Sequence, residues 1–137
     1  MQRKFAVIKQ EVILPAEPSE VFEALVDPQK HSAFTGLPAS GEAKVGRSFM
    51  AGNGYITGKY IHISPGKEIV QEWKTKEWPE GFPPSILKIS LLKTKEGTML
   101  RLNQTKVPYS QAEYYRKGWI EYYWEPMKRY LLNKAKT

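Results

Sequence analysis

The sequence predicts an α+β fold: a two-layer sandwich in which a curved antiparallel sheet of about six strands grips one long C-terminal helix, in the order β-α-α-β-β-β-β-β-α. Three observations predict it. Residues 41–107 carry only strand and turn signals, a single strand and two short helical stretches precede them, and the chain after residue 110 holds a helical stripe of aromatics with no strand pattern.

The first strand is read from FAVIKQEVIL at residues 5–14, where Ile8, Val12 and Leu14 share a face with Gln10 while Lys9 and Glu11 take the other. Pro15 ends it. A first helix over 18–27 opens on Pro18 and carries Val21, Phe22, Leu25 and Val26 as its apolar stripe. Asp27-Pro28 starts a second short helix, with Asp27 as cap, and Thr35-Gly36 closes it.

Within the strand block, Gly52-Asn53-Gly54 marks a tight hairpin between Ser48–Ala51 and 55–63. Ser64-Pro65-Gly66 turns the chain into 68–74, where Ile69, Gln71 and Trp73 alternate with Val70 and Glu72. A loop with Trp78, Pro79, Gly81, Pro83 and Pro84 leads to a last hairpin, 85–93 with 98–107, around Lys95-Glu96-Gly97. Short strands close together in sequence make an antiparallel meander.

In the C-terminal stretch, Ala112, Tyr115, Trp119, Tyr122, Tyr123, Met127 and Tyr130 fall on one arc at helical spacing. Glu113, Lys117, Glu121, Glu125 and Lys128 take the opposite side. Ser110 followed by Glu113 reads as a capping box, and Pro126 predicts a bend. So many aromatics on one face require that the helix lie across the sheet. A curved sheet holding a helix commonly leaves an apolar space between them.

The bulk properties narrow the function. A length of 137 residues fits one domain spanning 1–137, large enough for a substantial core or a modest cavity. No apolar run approaches the ~20 residues of a membrane span, and the basic N-terminus lacks the uninterrupted apolar region of a signal peptide. A cytoplasmic protein without membrane insertion is expected. The absence of cysteine agrees with that and removes thiolate chemistry and zinc–thiolate sites. The net charge of +7 invites a nucleic-acid reading, but the basic residues, from Arg3 and Lys4 to Lys134 and Lys136, are scattered over strand ends and turns. That distribution predicts a solvated basic surface and no specific nucleic-acid partner.

No catalytic or metal-ligating constellation is legible. The chain holds only two histidines: His31 lies beside the Asp27 cap, and His62 is flanked by Ile61 and Ile63 in a strand. Both read as structural. Asp27 is the single aspartate, Glu72 is out of phase with Trp73, and the serines lack a nucleophile-elbow context. A non-enzymatic protein without cofactor is therefore expected. The aromatics are the better lead: Trp73 on its strand should meet Trp119, Tyr123 and Met127 on the helix, with Phe34, Phe49 and Tyr55 completing a wall. Two readings stand. Such stripes are usually core. Tyrosine and tryptophan carry polar tips, however, and burying several together demands partners or water, which suits the wall of a ligand cavity.

Matches over most of the chain carry a family resemblance. They are Val21-Phe22-Glu23-Ala24-Leu25 with Asp27-Pro28, Phe34-Thr35-Gly36, Val45-Gly46 with Phe49, Gly54-Tyr55-Ile56-Thr57-Gly58, Ile69-Val70-Gln71-Glu72-Trp73, Trp78-Pro79, Gly97-Thr98 through Gln104 to Val107-Pro108, and Gly118-Trp119 through Tyr123-Trp124 with Pro126. Together they resemble the family of the C-terminal domain of the activator of heat-shock protein 90 ATPase, within the START-like, helix-grip superfamily. The resemblance implies the helix-grip fold and offers no catalytic motif. Other START-like members hold apolar or amphipathic small molecules beneath the long helix. Two functions are thus expected, from different classes: a module binding a small apolar ligand, or a co-chaperone or stress-response module binding a chaperone protein through surface charge and an exposed loop around Trp78.

Overall fold

The alternation of Phe5–Leu14 produces strand β1, which buries Ile8 and Leu14, half-buries Gln10 and Val12 and leaves Lys9 and Glu11 in solvent. The computed structural model describes residues 4–135, so Arg3 and Lys136 lie outside it. Helix α1 (Pro18–Val26) follows, with proline at its start and Val21, Phe22, Ala24, Leu25 and Val26 buried. Asp27 caps α2 (Pro28–Thr35) as its position predicts: Oδ1 accepts the backbone N–H of Gln29 at 2.9 Å and of Lys30 at 3.4 Å.

Six more strands complete one antiparallel sheet: β2 (Ser40–Gly41), β3 (Ser48–Ala51), β4 (Ile56–Ser64), β5 (Glu68–Thr75), β6 (Ser85–Thr94) and β7 (Gly97–Pro108). Their order is β1-β7-β6-β5-β4-β3-β2. The sheet has seven strands where about six were expected; the addition is β2, a two-residue edge strand too short to leave a periodic signal. Since β1 and β2 occupy opposite edges, α1 and α2 carry the chain from one edge to the other. Two irregularities bend the sheet: one on β4 between Tyr60 and His62, the other where β1 meets β7, beside Lys106 with its left-handed φ of 59°.

The C-terminal helix departs from the simple expectation in two places. Ser110 is not its N-cap: Tyr109–Gln111 form a 3₁₀ turn, and α3 (Ala112–Trp119) starts beyond it with no side-chain cap. The Glu113 side chain pairs with Arg116 one turn on, so it does not reach back to complete a capping box. Where a bend at Pro126 was expected, a π-helical turn (Ile120–Trp124) separates α3 from α4 (Glu125–Ala135). Proline, which lacks an N–H, thereby occupies the start of a new helical segment, where that loss is tolerated.

The π turn changes which residues are buried. A turn closed by i→i+5 bonds holds one residue more than an α turn, so later positions fall behind the 100° pattern. Trp124 and Leu131 thus join Ala112, Tyr115, Trp119, Tyr123 and Met127 on the buried face, while Tyr122, placed on that face by ideal spacing, is 64% exposed. Opposite them the sheet presents Ile69, Trp73, Leu87, Ile89, Leu100 and Leu102.

Candidate ligand groove

Two amides, the buried Gln104 and the half-buried Gln10, seat the helix on the sheet. Trp119 donates its indole N–H to Gln104 Oε1 at 2.9 Å, Gln104 Nε2 donates to Ser85 Oγ at 3.0 Å, and Ser85 donates to the Trp73 carbonyl at 2.6 Å. Trp124 donates to Gln10 Oε1 at 2.7 Å, and Gln10 Nε2 donates to the Arg116 carbonyl at 3.0 Å. That carbonyl lies at the α–π junction, where Ile120 N–H bonds to Lys117 instead. Gln10 thus gives a carbonyl at the change of helix type a side-chain partner.

His31 fixes the helix from the other side. Its Nδ1 lies 3.0 Å from the Leu25 carbonyl, which can only accept, so Nδ1 carries the proton and Nε2 accepts from the Tyr123 hydroxyl at 2.8 Å. Burial lowers the His31 pKa below its ordinary value, and burial raises that of Tyr123. The structural reading of His31 stands. His62 lies on the surface, its Nε2 3.7 Å from Glu68 Oε1.

Between helix and sheet the space divides in two. An inner cavity of about 40 Å³, touched by His31, Phe49, Tyr60, Gln71, Trp73, Trp119 and Tyr123, has room for a few waters and no ligand. A second, open cavity of about 290 Å³ lies between the helix and the β3–β4 turn, near the lower end of the range for small-molecule sites. Thr35, Leu37, Gly52, Tyr55 and Ile56 form one side of this groove, and Tyr114, Tyr115, Gly118, Trp119, Tyr122 and Tyr123 form the helix side, with Trp73 between them.

Trp73, Trp119 and Tyr123 touch both spaces and form the partition. The indoles of Trp73 and Trp119 lie 5.4 Å apart, and Tyr123 packs edge-on to Trp119 at 4.9 Å. Of the other residues singled out in the sequence, Phe49 lines the inner cavity and Tyr55 the groove. The Phe49 ring lies across Gly58 of the neighbouring strand, where a Cβ would come within 2.6 Å of it and 1.9 Å of the Glu72 carbonyl. Phe34 and Met127 line neither space. Met127 is wholly buried in the core, and Phe34 packs against His31, Tyr123 and Tyr130.

The groove residues that sequence reasoning missed are Thr35, Leu37, Gly52, Ile56, Tyr114, Tyr115, Tyr122 and, above all, Gly118. Glycine in the middle of a helix costs about 1 kcal/mol relative to alanine. Here nothing sterically requires it: an added Cβ would have only Tyr122 Cδ2 within 4 Å, at 3.8 Å. A glycine inside a helical pattern is a readable signal. The groove ends in a hydroxyl cluster, where Tyr115 Oη lies 2.6 Å from Thr75 Oγ1 and also pairs with Gln111. Tyr55 donates to Glu77 Oε2 at 3.0 Å. Desolvation, then bonding to Glu77 and Tyr114, raises the Tyr55 pKa well above the ordinary phenol value. Trp78, expected on an exposed loop, is half-buried instead, stacked on Tyr115 with centroids 5.8 Å apart and donating to the Pro83 carbonyl.

Among the described residues no helix is long and apolar enough to cross a membrane, and no group of three metal-ligating side chains is present. The fold is shared with a crystal structure of an HSP90 activator from Plasmodium falciparum, at a TM-score of 0.81 and 24% identity over 93% of this chain and 95% of that one. A Mesorhizobium loti protein superposes with a TM-score of 0.77 at 20% identity, covering 95% and 98%. In sequence, the human activator of 90 kDa heat shock protein ATPase homolog 1 is 33% identical over 112 residues, which are 82% of this chain and 33% of the human protein. The chain spans about a third of the length of the curated relatives it matches. The model of the Activator of Hsp90 ATPase homolog 1-like protein family matches residues 15–132, and the chain belongs to that family.

Proposed function

We propose that this domain is a non-enzymatic binding module that holds a small apolar or amphipathic molecule in the groove between the C-terminal helix and the β3–β4 turn. One observation carries the reading: Gly118 keeps the helix side of the groove open where folding alone favours a larger residue. The lining adds support, because it is aromatic and apolar with hydroxyls gathered at one end, the usual make-up of a small-molecule site. No carboxylate, imidazole or amine lines the groove to act as general acid or base. Trp73 and Trp119 report occupancy directly. A panel of fatty acids, sterols and aromatic compounds should contain members that alter tryptophan emission and raise the melting temperature; saturation at ~100 times the dissociation constant adds about 2.7 kcal/mol. A panel that leaves both unchanged contradicts the reading.

A second reading, chaperone binding, is favoured by the human relative, whose name describes an activator of the 90 kDa heat shock protein ATPase. Co-purification of a chaperone with the wild-type chain, undiminished by added groove ligand, supports this reading over the first.

A further inference from the structure

The groove is lined without a formally charged side chain. The protein carries a net charge of +7, yet no lysine, arginine or histidine lines this space to hold an anion. A negative charge stands behind the lining at the polar end: Glu77, one hydrogen bond beyond the Tyr55 hydroxyl. The hydroxyl protons there are already committed, that of Tyr55 to Glu77, that of Tyr115 to the Gln111 side-chain carbonyl oxygen and that of Thr75 to Tyr115, so that end offers lone pairs more readily than protons. A ligand carboxylate placed there would meet like charge in a partly dewatered slot, whereas a ligand O–H or N–H would find acceptors.

The shape adds a second constraint. Gly52 on the sheet side and Gly118 on the helix side contribute no side chains, and the partition behind them is built from the rings of Trp73, Trp119 and Tyr123. Such a space suits a flat ring system, which can pack offset or edge-on against the wall. Resting on the reading of the groove as a ligand site, we propose that it takes an uncharged planar aromatic molecule with a hydrogen-bond donor at one end, of phenol type, and rejects carboxylates such as fatty-acid anions.

Two probes that share one ring system test this by titration calorimetry near neutral pH: 2-naphthol, which is neutral, and the somewhat larger 2-naphthoate, which is an anion. Wild-type protein should bind 2-naphthol and bind 2-naphthoate at least about tenfold more weakly, a difference of roughly 1.4 kcal/mol. Glu77→Gln, a change at an exposed residue, should narrow that gap chiefly by improving the naphthoate. Equal or tighter binding of 2-naphthoate, abolished by Gly118→Leu, overturns the charge inference and leaves the groove standing. Binding of neither probe overturns the inference together with the groove reading.

Discussion

The hydrogen bond between His31 and Tyr123 gives a single residue leverage over the helix. In the folded protein His31 has a lowered pKa, chiefly from burial, against an ordinary value of 6.5. The unfolded chain therefore takes up the proton first as pH falls, and the folded state is penalised from about pH 6.5 downward; above that value the term vanishes. Urea denaturation should show wild type losing stability between pH 7.5 and 5.5, and His31→Gln losing less over the same interval. Equal losses would remove His31 as the source. Sequence position marked this histidine as structural because it neighbours the Asp27 cap. Its real partner, Tyr123, lies 92 residues away and could not be read from local pattern.

At the scale of the element, the C-terminal helix shows what periodicity can and cannot reveal. Tyr115, Trp119, Tyr123 and Met127 are placed on the buried face by 100° spacing, and they are buried. Tyr122 and Trp124 exchange roles because the π turn shifts the phase, and nothing in a list of apolar positions encodes a change of helix type. Pro126 was the visible hint; the stabilising partner, Gln10, sits on a strand at the other end of the chain. The strands were legible for the same reason as the helix, alternation against a single core, whereas two-residue β2 left no period to detect. If Gln10 secures the α–π junction, Gln10→Ala leaves both the Trp124 indole N–H and the Arg116 carbonyl without their partner. The cost should be about 0.5–1.5 kcal/mol, the net worth of a hydrogen bond at a partly buried site. A variant with wild-type urea stability would show that water or local rearrangement satisfies those groups, and that the latch is dispensable.

For the whole molecule, the sheet and helix form a well-filled core with a groove beside the helix. The inner cavity is too small for a ligand, so the space beneath the helix anticipated from the sequence lies mostly at its mouth. Aromatic composition indicated a wall without indicating which side of it faces a ligand. Trp73, Trp119 and Tyr123 are core toward the sheet and also line the open groove, so burial alone does not separate the two expected readings of these residues. Tyr114 and Tyr122, 58% and 64% exposed, flank Gly118 on the helix and bound the groove on its outer side.

The central claim is that Gly118 is kept for binding at the expense of stability, and melting Gly118→Leu beside wild type, each with and without a panel compound that stabilises wild type, tests it most directly. Leucine has the better helix propensity by roughly 0.8–1 kcal/mol, its Cβ meets only Tyr122 Cδ2 within 4 Å, and the groove has room for the rest of the side chain, so the unliganded variant should melt at or above the wild-type temperature. Its side chain should occupy the groove, and the rise produced by the ligand should disappear. A variant melting well below wild type, or one retaining the full ligand-induced rise, would contradict the account.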